Sequence, residues 1–177
     1  EAITSLQAFD HYKKQEEKLH KLQSLLKNVA DPVKSLQNLL KKMSEFEKKL
    51  SEFIAEKITK LKVDLIHSAK EINGVNFISA IVDLEPAEMK ELSFACIQEL
   101  DNLFIVLGAE NKGKANLSVI ISNELIKNKG LNASEIIRTI AKEIDGGGGG
   151  QAFFATAGGK NPQGLKSALE QAKSLCG

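Results

Sequence analysis

The chain has 177 residues, room for one compact domain with an arm or for two small domains. An apolar share of 42% and a charged share of 27% permit a packed core and exclude wholesale disorder. Net charge is +1, but residues 1–70 carry +4 and residues 71–177 carry −3, so any polyanion-binding surface is local or lies on the N-terminal segment.

From about Phe9 to Ala30, Leu19, Leu22, Leu25/Leu26 and Val29 recur at steps of three and four, which predicts a helix. Asp31-Pro32 ends it and starts the next, since Asp suits an N-cap and Pro the first turn. The second helix carries Val33, Leu36, Leu39/Leu40, Met43, Phe46 and Leu50, then Phe53/Ile54, Ile58 and Leu61, without Gly or Pro through Asp64. At 1.5 Å per residue this is an arm on the order of 45 Å. A hairpin of two such helices buries one stripe on each, and the longer second helix needs a partner for its tail, either the following domain or another chain. The stripe is broad and apolar but has no clean heptad. His11, His20 and His67 lie on this arm or at its end, scattered and without Cys or acidic partners at metal spacing, so solvated positions are expected.

After the arm the period changes to two. Ala69–Ile72 and Val75–Val82 read as strands joined by an Asn73-Gly74 hairpin turn. Pro86 starts a helix to about Leu100, with Leu92, Ala95/Cys96 and Leu100 inward. Leu103–Leu107 is the unbroken apolar run of a central strand covered on both faces. Asn111–Lys114 is a turn, and Ala115–Ile121 is the next strand. Asn123–Gly130 reads as a short helix or an irregular loop. Asn132 is the expected N-cap of an amphipathic helix through Ile144. Pro162 opens a last helix with Leu165, Ala168/Leu169, Ala172 and Leu175 on one face. The order predicts an α/β (α+β) fold, a small mixed sheet packed with helices, after a long helical hairpin or coiled-coil arm. The expected division is 1–66 for the arm and 67–177 for the globular part.

Between the last two helices lies Gly146–Gly150, followed by Gln151-Ala152-Phe153-Phe154-Ala155-Thr156-Ala157-Gly158-Gly159. Five glycines lose much conformational freedom on ordering and return no side-chain contacts. An ordered run therefore implies a need for bare backbone near phosphate or another main chain. The expectation is a structured loop; a flexible linker is the alternative, disfavoured because too few residues follow to form another domain.

This stretch resembles the C-terminal domain of alanyl-tRNA synthetases, whose relative also ends certain DHH-type phosphoesterases. That pattern typically reads Gly-Gly-Lys-Gly-Gly-Gly-basic-Pro-Asp-Met-Ala-Gln-Ala-Gly-Gly. Gly148-Gly149-Gly150, Ala155, Ala157, Gly158 and Gly159 match it. Gly147, Gln151, Ala152 and Phe153 depart from its Lys, basic, Pro and Asp positions. Asn73-Gly74-Val75 also matches, and Glu1-Ala2-Ile3-Thr4 is similar to the exit of the family's editing domain, which implies a cut point at Glu1 in a longer protein. The resemblance implies tRNA binding at the outer corner where the D- and T-loops meet, coupling of aminoacylation with editing, and subunit pairing through the helical connector. It implies ATP, magnesium and zinc for the parent ligase, and none of them for this segment.

The residues themselves offer no catalytic constellation. No His follows His67, Gly150 is followed by Gln151 rather than a Walker Lys, and a helix rather than a strand is expected before the glycines. Asp145 and Glu143 read as solvated acids. Function then rests on binding. The candidate nucleic-acid contacts are Gly147, Gly148, Gly149, Gly150, Gln151 and Phe153, with Lys112, Lys114, Arg138, Lys160 and Lys166 as phosphate ligands. Phe153 and Phe154 offer a stacking face, or the core of a short helix, with core expected for at least one. Two rival readings are the nucleic-acid-binding end of a DHH phosphoesterase or exonuclease, and a purely structural dimerisation module.

Cys96 and Cys176 form no Cys-x-x-Cys or His–Cys cluster, so neither a zinc module nor a disulfide framework is expected. Cys96 reads as core and Cys176 as part of a fraying end. No apolar run approaches the roughly 18 residues of a membrane span, and the start lacks a signal-peptide pattern. The expected location is the cytoplasm.

Overall fold

The structure, a computed structural model, describes residues 5–27 and 30–176. It divides into two compact units, Glu1–Phe53 and Ile54–Gly177.

The first unit holds helix α1 (Ser5–Leu25) and the N-terminal part of helix α2 (Pro32–His67). Asp31 caps α2: its Oδ1 accepts from the Lys34 amide at 3.0 Å. Burial is confined to the neighbourhood of the turn, where Gln23, Leu26, Pro32 and Ser35 are half-buried. Leu19, Leu22, Leu36, Met43, Phe46 and Leu50 all stay exposed. The expected burial of one stripe per helix is therefore absent here; the apolar stripe faces solvent. Val29, expected at the end of the first helix, lies outside the described residues.

In the second unit, Ile58 and Leu65 of α2 are buried, so the tail of this helix finds its partner in the globular part. Strands β1 (Lys70–Ile72) and β2 (Val75–Ile81) form the expected hairpin. Asn73 and Gly74 both take positive φ, 52° and 76°, as a tight primed turn requires. Helix α3 (Pro86–Ile97) follows, its Glu88 carboxylate accepting from the Glu85 amide at 2.9 Å. Strands β3 (Leu103–Asn111) and β4 (Lys114–Ile121) come next, then α4 (Asn123–Lys129), which resolves the ambiguous segment as a helix ended by Gly130 at φ 68°. Helix α5 (Ala133–Ile140) is capped by Asn132, whose Oδ1 accepts from the Ser134 amide at 2.9 Å, and closes in a 3-10 turn through Ile144. Strands β5 (Gly146–Gly150) and β6 (Phe154–Gly159) and helix α6 (Leu165–Ser174) complete the chain.

The six strands run in the order β1-β2-β3-β4-β6-β5, antiparallel except for the parallel β2–β3 pair. One face packs Phe104, Val106, Leu117 and Val119 against α5 and α6, with Phe77 edge-on to Phe104 at 5.2 Å between ring centroids. The other packs Ile78, Ile105, Leu107 and Ile120 against α3 and the tail of α2. β3 is buried on both faces, as its unbroken apolar run predicts. Cys176 is buried in the first of these cores rather than fraying.

Candidate nucleic-acid interface

The glycine run is ordered, but as an edge strand rather than a loop. Its pairing with β6 places Gly147 opposite Gly158 and Gly149 opposite Thr156. The Gln151 amide donates to the Phe154 carbonyl at 2.8 Å where the two strands turn. Alternation in an antiparallel ladder then directs the polar groups of Gly147 and Gly149 to β6, and those of Gly148 and Gly150 to the open edge.

The glycines fall into two classes. A Cβ on Gly146, Gly148 or Gly150 would stand 2.2–2.4 Å from a β6 carbonyl oxygen, so close packing of the two strands demands glycine there. A Cβ on Gly147, Gly149 or Gly158 would meet nothing within 4 Å, and none of the three has a positive φ. Packing makes no demand for glycine at these three positions; their effect is to leave the sheet face bare.

Register puts that bare face on the α3 side. Gly158 lies beside Asn116 of β4, and Thr156 beside Ser118. Helix α3 covers the central strands there, and between its first turn and the glycines a cavity of about 330 Å³ opens, lined by Pro86, Met89, Asn116, Ser118, Thr156 and Gly158 among others. A second cavity shares Asn116 and Gly158 and adds Lys114, Lys160 and Asp145. At the turn end stands an aromatic cluster. Phe94 of α3 lies 5.6 Å from Phe154 and 6.4 Å from Phe153, and the Lys90 ammonium stands 5.6 Å from the Phe154 ring centroid. Phe154 is half-buried, and Phe153 keeps 37% of its surface exposed, enough for a ring to stack on it.

The fold thus brings Gly147 to Gly150, Gln151, Phe153, Lys114 and Lys160 to one strip of the molecule. Lys112 sits in the β3–β4 turn beside Ile81, Asp83 and Glu110. Arg138 and Lys166 are exposed on α5 and α6, the helices of the opposite layer. Lys90, Phe94, Asn116, Ser118 and Thr156 escaped the sequence reading. They come from three separate elements, and β5, built of Gly alone, has no side-chain alternation to reveal its pairing with β6. His11, His20 and His67 are exposed. Among the described residues no group of three or more His, Cys, Asp or Glu can hold a metal ion, and no helix is long and apolar enough to cross a membrane.

These features define a mixed α/β domain with a glycine-only edge strand, whose accessible chemistry is main chain, hydroxyl, aromatic ring and ammonium. The chain belongs to the DHHA1 domain family, whose model matches residues 74–177. It is 49% identical over 99% of its length to the alanine–tRNA ligase of Christiangramia forsetii and 40% identical over 99% to that of Cytophaga hutchinsonii. In both cases it spans about a fifth of the relative, 20%. It is also similar to the crystal structure of the C-Ala domain of Aquifex aeolicus alanyl-tRNA synthetase, at a TM-score of 0.56 and 26% identity, covering 62% of this chain and 98% of that one.

Proposed function

We propose that the chain is the tRNA-binding and oligomerisation portion of an alanine–tRNA ligase, with residues 1–66 as its arm and 67–177 as the domain that meets RNA. The observation that carries the RNA reading is the glycine identity of Gly147, Gly149 and Gly158, which packing does not require and which leaves main chain open to close approach. Identity to alanine–tRNA ligases over nearly the whole chain supports the choice of RNA and disfavours a phosphoesterase parent. The strip recognises the shape and backbone of folded tRNA at the elbow, and so keeps one tRNA in reach of both the aminoacylation and the editing centre of the parent. The ligation chemistry, with its ATP, magnesium and zinc, belongs to other parts of that protein. The setting is the cytoplasm, where tRNA is charged.

The exposed stripe supports a homodimer through the arm. Leu36, Leu39, Met43, Phe46, Leu50 and Phe53 follow alternating steps of three and four, the spacing of a coiled-coil seam, and all are exposed.

The test is a salt series of binding to tRNA-Ala and to an unrelated RNA duplex of equal charge. Tighter binding to the tRNA, weakening with salt, supports the reading; no affinity for the tRNA at low salt overturns it.

A further inference from the structure

We infer that the cavity between α3 and the bare sheet face is a pocket for one unstacked nucleobase, with the attached phosphate on Lys114 and Lys160. The inference rests on the RNA-binding reading and names a subsite within it.

The lining carries the argument. Ser118 is 2% exposed, and its Oγ has no hydrogen-bond partner. A buried hydroxyl without a partner is costly and calls for an occupant that supplies one. Asn116 is held in a defined orientation. The Leu84 carbonyl can only accept, so Asn111 donates to it through Nδ2 at 3.1 Å. Asn111 Oδ1 then accepts from Asn116 Nδ2 at 2.9 Å, which leaves the Asn116 Oδ1 and the second Nδ2 hydrogen for a ligand. An amide that can both accept and donate, beside two hydroxyls, Ser118 and Thr156, suits the edge of a base, which presents donors and acceptors together. Among the described residues that line this cavity none is a cation, so nothing there balances the charge of a phosphate. Pro86 and Met89 supply an apolar wall, and Gly147 and Gly158 remove side chains from the floor. The charge needed for a phosphate lies next door, where Lys114 and Lys160 line the second cavity, although Asp145 shares it. Both cavities meet at Asn116 and Gly158, so a base and its own phosphate occupy the two at once.

The experiment titrates the full chain with the four common ribonucleoside 5′-monophosphates and with ribose 5-phosphate, following amide signals by NMR, and measures tRNA affinity in parallel. At least one monophosphate is expected to shift Ser118, Thr156 and Gly158, while ribose 5-phosphate leaves Ser118 and Thr156 unmoved. Ser118→Ala is expected to weaken that monophosphate about threefold to tenfold. Its folding stability should be equal or higher, because the lost hydroxyl has no partner within the fold. Gly158→Val fills the cavity without backbone strain and is expected to abolish monophosphate binding and weaken tRNA. The proposal is overturned if no monophosphate shifts these residues, if ribose 5-phosphate shifts Ser118 and Thr156 equally, or if Gly158→Val folds and binds monophosphate as before. A chain that binds a monophosphate at these residues but never binds tRNA keeps the pocket and loses the tRNA reading.

Discussion

A Cβ placed on Gly148 would stand 2.4 Å from the carbonyl oxygen of Thr156, on the neighbouring strand. No side chain tolerates that distance, and the obstacle is backbone that cannot swing aside. Gly148→Ala is therefore expected to lower stability by roughly 2–3 kcal/mol, the cost of overpacking a tight contact. Gly149→Val meets open space and is expected to fold with unchanged circular dichroism while weakening tRNA binding. Urea melts and an RNA titration of both variants check the pair. Equal stability loss at the two positions would remove the distinction between structural and functional glycines.

The aromatic cluster makes a separate prediction. Phe153→Ala removes a half-open ring from a turn, so stability is expected to change by about 1 kcal/mol or less. A stacked base lost from that ring costs about 1–3 kcal/mol of binding. Filter binding of the variant to tRNA should show the second effect at low salt. Wild-type affinity in Phe153→Ala would assign the ring to packing against Phe94 alone.

Self-association is tested on the arm. Met43→Glu and Leu50→Glu each place a charge in the exposed stripe without burying it in the chain's own core. Sedimentation is expected to show a dimer for the parent chain and monomers for the variants, with helix content largely retained in the second unit. A monomeric parent chain at tens of micromolar, as an order of magnitude for weak pairs, would defeat the arm as a dimer contact.

Burial pushes the Cys96 thiol up from 9.0 to about 11, the Lys62 ammonium pulling it down and Glu99 adding to the rise. Cys176 is raised too, again by burial, against the pull of Lys129. A raised folded-state value means the folded chain holds its proton where the unfolded chain has lost it. Stability from Cys96 is thus whole below about pH 9 and falls as pH climbs toward about 11. The urea midpoint is expected to drop across that window, and to drop less steeply in Cys96→Ala. Identical slopes would show that the thiol is not responsible.

Much of the architecture is written locally. Asn73-Gly74 announces a turn because both residues accept positive φ, and Asp31-Pro32 announces a helix boundary because one side chain caps and the other cannot continue the first helix. Leu103–Leu107 announces a central strand because every side chain in it must avoid water. The α/β fold and the two long helices follow from such signals, as does the family likeness carried by Gly148–Gly150 and Gly158-Gly159. What the order of residues leaves open is decided between distant segments. Gly146–Gly150 becomes a strand because β6 supplies carbonyls and amides for it to pair with; a run of glycines has no side-chain periodicity to declare this in advance. Ser118 acquires its meaning from Thr156 and Met89, which only the register of β4 on β6 and the packing of α3 bring beside it. Whether an apolar stripe is core or surface is likewise a tertiary matter: Ile58 is buried in a core built on the sheet, while Met43, on the same helix, is exposed.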